Sequence, residues 1–147
     1  MKETVISIIL GLVLAANIAI GQKYITKTGK TDFKASVDAF EPVEASNNST
    51  TAVLNQENGE VAVLVFISAF KFKIALMEEH FNENYMLSDE FPKASFKGKI
   101  IGFKKGMLNS QVKTYTVSGA LKIKGLSKSM KIPVELSKKG NVVKVKS

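Results

Sequence analysis

The chain has 147 residues, 45% of them hydrophobic, and a formal net charge of +8. Cysteine is absent, which excludes disulfides, thiolate metal sites and a thiol nucleophile. All the basic charge is lysine. With no arginine and no nucleic-acid motif, nucleic acid is not an expected partner.

Met1-Lys2-Glu3 opens the chain, and an apolar run from Thr4 to Ile20 follows, broken only by Ser7, Gly11 and Asn17. A helix needs ~20 apolar residues to cross a bilayer, so this run is short for a membrane span. Ala19-Ile20-Gly21 puts small residues where a signal peptidase inspects the chain. Residues 1–21 therefore read as a secretory signal peptide, cut before Gln22. Residues 22–147 read as one domain, large enough for a core without disulfides.

Tyr24 to Thr28 and Thr31 to Val37 are short strand candidates around a turn at Gly29-Lys30. Phe40-Glu41-Pro42 marks an edge or bend, because Pro42 has no N–H to give a neighbouring strand. Ser49 to Asn55 is a further strand, ended by the turn Gln56-Glu57-Asn58-Gly59. Glu60 to Ser68 contains an unbroken apolar run from Val61 to Ile67 and reads as a strand buried on both faces. The cover for its second face is expected from the segment that follows. Ile74, Met77, Phe81 and Tyr85 recur at helical spacing, with Glu78, Glu79, Asn82 and Glu83 opposite. Residues 75–86 thus form a short amphipathic helix.

Ala94 to Phe103 returns to strand, with Phe96, Gly98 and Ile100 inward and Lys97 and Lys99 outward. The clearest pattern runs from Tyr115 to Leu136. Tyr115, Val117, Gly119, Leu121 and Ile123 share one face, and Met130, Ile132, Val134 and Leu136 share one face of the returning strand. Side chains alternate across a strand, so each of these strands has one dry and one wet side. The turn between them is expected over Gly125 to Ser129. Val142 to Lys146 closes the chain with Val143 and Val145 inward. The sum is an all-β chain of about eight antiparallel strands with one short amphipathic helix, hence a barrel or a sandwich.

Charge is unevenly placed. From Phe91 to Ser147 there are 14 lysines and one acid, Glu135. Lysine on solvent faces guards strand edges against aggregation, and the same lysines form a surface that attracts anionic partners. His80 is the single histidine. It has no second histidine for a metal and no G-x-S-x-G serine to activate, so a structural role is expected, with no catalytic residue, metal or cofactor. Phe66, Phe70, Phe72, Phe81, Tyr85, Phe91, Phe96, Phe103 and Tyr115 form a large aromatic set, suited equally to a solid core or to the wall of an apolar cavity.

Two segments resemble the YceI-like lipid- and polyisoprenoid-binding proteins. Met77-Glu78-Glu79-His80-Phe81 through Phe91-Pro92-Lys93-Ala94-Ser95-Phe96 resembles that family's helix, loop and P-x-x-x-F strand. Met77 and Glu78 stand where the family has Arg and Asp, and His80 matches. Val117-Ser118-Gly119-Ala120-Leu121-Lys122-Ile123-Lys124-Gly125-Leu126-Ser127 resembles its V-x-G-x-L-x-(I/L)-(K/R)-G-x-(S/T) hairpin. The resemblance implies a lipocalin-like antiparallel β-barrel in an exported bacterial protein, periplasmic or secreted. It implies an apolar or amphiphilic, isoprenoid-like ligand in the lumen, with Phe66, Phe72, Phe81, Tyr85, Phe96, Ile100, Tyr115, Val117 and Leu121 as the expected lining. The alternative is a solid-cored envelope protein acting through its lysine-rich surface.

Overall fold

A computed structural model describes residues 3–8, 23–35 and 43–147. The bend expected at Phe40 to Pro42 lies outside the described residues, as does most of the expected signal peptide. The strands are β1 (Glu3–Ile8), β2 (Lys23–Ala35), β3 (Val43–Asn55), β4 (Glu60–Phe66), β5 (Lys71–Phe72), β6 (Lys93–Ile100), β7 (Lys113–Ile123), β8 (Leu126–Lys139) and β9 (Val142–Lys146). One helical segment, α1 (Ala75–His80), lies between β5 and β6.

Every pairing is antiparallel. The order runs β2-β1-β9-β8-β7-β6-β4-β3, and β3 pairs again with β2. The ring is thus an eight-stranded, nearly closed barrel, with the two-residue β5 added on β3. Closure is weakest between β1 and β2, where only Ser7↔Ile25 and Ile8↔Tyr24 are in register. Residues 3–8, inside the expected signal peptide, supply this closing strand between β2 and β9.

Three expectations shift in detail. Tyr24 to Val37 was to be two strands around a turn, but β2 runs unbroken from Lys23 to Ala35. Gly29 sits at a register shift within β2, and the strand continues through it without reversal. The hairpin turn after β7 is tighter than Gly125 to Ser129. Ile123 faces Leu126, and Lys124 and Gly125 alone make the turn, at φ 52° and 77°. Two successive positive φ angles match the right-handed twist of flanking strands. Strand β4 is shorter than expected, because Ile67–Ala69 turns into a short 3₁₀ helix.

Helix α1 continues as a π turn over Phe81–Tyr85, with the Met86 N–H bonded to the Phe81 carbonyl at 2.8 Å. A π turn spaces its bonds five residues apart and so rotates later side chains off the α-helical stripe. Tyr85 is therefore 69% exposed, while Met86 packs inward. Phe81 is buried with Ala45, Val65, Ile67, Phe70 and Ala94. Val65 and Ala94 belong to the inner faces of β4 and β6, so the helical segment fills one end of the barrel and does not cover the outer face of β4. Glu78 anchors it by accepting the Phe72 N–H at 3.1 Å.

A second cluster is centred on Tyr24, Ile100 and Val143 and runs on into Phe96, Val117 and Val134 of the inner wall. Tyr24 is fully buried, and its hydroxyl donates to Gln56 Oε1 at 3.0 Å. Lys138 Nζ lies 5.7 Å from the Tyr24 ring centroid, on its face, and donates to the same Gln56 oxygen at 3.4 Å. These contacts give the cluster a satisfied polar cap over an apolar core.

Candidate functional site

The barrel is hollow. A cavity of about 310 Å³ runs along the inner faces of β3, β4, β6, β7 and β8. Its walls alternate along each strand as a pleated sheet requires. Val61, Val63 and Val65 come from β4, Phe96 from β6, Val117 and Leu121 from β7. Met130, Ile132, Val134 and Leu136 complete the wall from β8, with Val145 from β9. Such a surface binds by excluding water from methyl, methylene and ring groups, with few polar groups to orient a ligand.

A glycine pair keeps the lumen open. Gly98 on β6 faces Gly119 on β7. A Cβ built on Gly119 would stand 2.3 Å from the Lys97 carbonyl oxygen and 2.7 Å from Phe96 Cζ. The tip of the Phe96 ring thus packs over bare backbone at Gly119, where a side chain would displace it. This gives the V-x-G-x-L spacing a physical reason.

The expected lining residues divide by location. Phe96, Val117 and Leu121 line the cavity. Ile100 is 1% exposed and Tyr115 half-buried, both in the cluster around Tyr24. Phe72 and Phe81 belong to the plug under the helical segment, their ring centroids 4.9 Å apart. Phe66 is 45% exposed on the outer face, with Lys93 Nζ 5.5 Å from its ring centroid. Tyr85 points to solvent for the reason given above. Phe66 and Tyr85 are thus corrected from lumen to surface, and Phe72 and Phe81 from lumen to plug. His80 is exposed at the end of α1. Among the described residues no group of three or more histidines, cysteines or acids is placed to hold a metal.

The polar part of the cavity is at one side. Lys30 and Thr31 from β2, Thr50 from β3 and Ser147 after β9 reach it. β2 borders the weakly closed seam directly and β9 lies one strand away across β1, so these groups mark a lateral mouth.

An eight-stranded, nearly closed antiparallel barrel with an apolar interior and a helical segment packed into one end has the lipocalin-like architecture. The comparisons narrow this architecture to a family. A family profile described as the YceI-like domain matches residues 22–146, so the chain belongs to the YceI-like family. A search of curated proteins finds no match. Among solved structures, the chain is similar to a polyisoprenoid-binding domain from Saccharophagus degradans implicated in plant cell wall breakdown. That match has 8% identity, a TM-score of 0.59, and covers 81% of this chain and 65% of the other. It is also similar to a mutant CJ YceI protein with a monobromobimane guest, at 17% identity and a TM-score of 0.55, over 72% of this chain and 62% of that one. The chain spans less than two thirds of the length of either structure.

Proposed function

We propose that this protein is exported and carries an apolar or amphiphilic lipid in its lumen, without catalysis. The observation that carries the reading is the apolar cavity of about 310 Å³ inside the barrel. Membership of the YceI-like family and the polyisoprenoid binding of one structural neighbour support it. Desolvation supplies the affinity: ten buried methylenes contribute ~8 kcal/mol at ~0.8 kcal/mol each, before the entropy of immobilising the chain is subtracted. Export rests on the apolar run before Gln22. Cleavage there would remove β1 from the seam and leave β2 and β9 to border the mouth directly.

The lysine-rich outer face fits an envelope location. Lys97 and Lys99 on β6, Lys122 on β7 and Lys131 on β8 are exposed at outward positions of adjacent strands, between small residues such as Ser118, Ala120 and Ser129. Such a face holds the protein near anionic headgroups or cell-surface polymer, an attraction that weakens as salt rises.

Val117→Phe tests the lumen reading. Val117 is 1% exposed to bulk solvent yet faces the cavity. Phenylalanine there occupies space meant for ligand. The expected result is loss of binding of a fluorescent isoprenoid or fatty-acid probe, with an unfolding midpoint changed by less than about 1 kcal/mol. A filled core would instead be overpacked, at ~1–3 kcal/mol. A large loss of stability, together with no probe binding by the unsubstituted protein, would remove lipid carriage.

A further inference from the structure

Two bulges set the chemistry of the mouth. Between Thr26↔Ala52 and Gly29↔Thr50 strand β2 has one extra residue, and between Gly29↔Thr50 and Thr31↔Asn47 strand β3 has one. The two insertions compensate, so the register recovers and the irregularity stays local. Asn47 locks the β3 bulge: it is fully buried, its Oδ1 accepts the Ser49 N–H at 2.9 Å, and its Nδ2 donates to the Phe66 carbonyl at 3.1 Å. Bulges at barrel rims re-aim side chains. These two bring Lys30, Thr31 and Thr50 together on the cavity wall.

Among the described residues that line the cavity, Lys30 carries the one charged side chain. Its Nζ stands 3.8 Å from Asp32 Oδ1, the long end of an ion pair. Asp32 has its own donor in the Ser46 hydroxyl, at 2.8 Å. The ammonium can therefore turn toward the mouth while the carboxylate stays anchored. Thr31 and Thr50 share a hydroxyl–hydroxyl bond of 2.7 Å. Each hydroxyl oxygen has two lone pairs and one proton, so the pair keeps capacity for a further acceptor or donor.

The volume limits the tail. A dry cavity of ~150 Å³ holds one six-carbon ring. At about 310 Å³ the lumen has room for about twice that, on the order of twelve carbons.

We infer that the lumen selects a single-chain amphiphile of about twelve carbons with an anionic oxygen head, the head held by Lys30 beside Thr31 and Thr50 and the tail in the apolar lumen. This rests on the lumen being the ligand site, and the test separates the two claims. Saturated fatty acids of about eight to about eighteen carbons, and dodecanol, are titrated into the purified full-length chain, which retains β1, by calorimetry and by displacement of a fluorescent fatty-acid probe. Affinity is expected to rise by about fourfold per methylene up to about twelve carbons and then to flatten. Dodecanoate is expected to bind about three- to tenfold tighter than dodecanol, as one partly exposed charged contact allows. Lys30→Gln is expected to erase that difference. Affinity that keeps rising through the longest chain overturns the length limit. Equal affinity for acid and alcohol, or a preference that survives Lys30→Gln, overturns the head-group site while leaving the lumen reading intact. No binding of any chain by the unsubstituted protein overturns the lumen reading itself.

Discussion

Phe81→Ala is expected to destabilise the protein by about 3–5 kcal/mol, the usual range for truncating a buried aromatic ring. Phe81 is 8% exposed and carries the plug. Its ring centroid lies 5.5 Å from Phe33, 5.9 Å from Phe70 and 4.9 Å from Phe72, in tilted and edge-on arrangements that aromatic pairs favour. Alanine would empty the centre of this group and detach the π turn from Val65 and Ala94. Glu83→Ala, two residues further on at an exposed position, is the control and should change stability by no more than ~0.5 kcal/mol. Urea titrations of the two variants check both values. Equal small effects would show that the helical segment is not docked into the barrel end.

The second large effect belongs to Gly119. Backbone freedom is not the issue, since this glycine sits within β7; space is. An added Cβ meets the Lys97 carbonyl oxygen at 2.3 Å and Gly98 Cα at 2.7 Å, both backbone atoms that cannot swing aside. Relief requires β6 and β7 to part, which weakens the ladder that holds Phe96 against Leu121 and Ile100 against Val117. Gly119→Ala is expected to cost ~1–3 kcal/mol or more, the range for overpacking, and to lower probe affinity as Phe96 is displaced. Gly119→Ala with unchanged midpoint and unchanged binding would contradict the close approach. Gly106→Ala, at a glycine with nothing within 4 Å of an added Cβ, separates strain at φ 82° from crowding.

The alternating strands were legible because alternation is local. Tyr115 to Leu136 declared which side faced in, and Phe96, Val117 and Leu121 reach the cavity on that basis alone. Ile100 and Tyr115 share the same faces but do not reach the cavity; which inward side chains meet open space depends on packing against other strands. Phe66 lies in a run without alternation, from Val61 to Ile67, so sequence left its side undecided. Pairing of Val63 with Phe96 puts the odd-numbered valines inward and Phe66 outward. Tyr85 fails for a different reason: the π turn over Phe81–Tyr85 ends the helical stripe, and nothing in the side chains announces it. From sequence, Lys30 belongs to a turn with Gly29. Its place at the mouth depends on two compensating bulges in two strands, a relation that exists only once β2 and β3 are in register.

Native mass spectrometry of the mature protein, purified from its own host without detergent, tests the central claim most directly. A hollow lumen predicts one non-covalent lipid per chain, released when the protein is denatured in organic solvent and absent from Val117→Phe purified the same way. A bare chain mass, with no adduct formed after incubation with single-chain lipids, would contradict it.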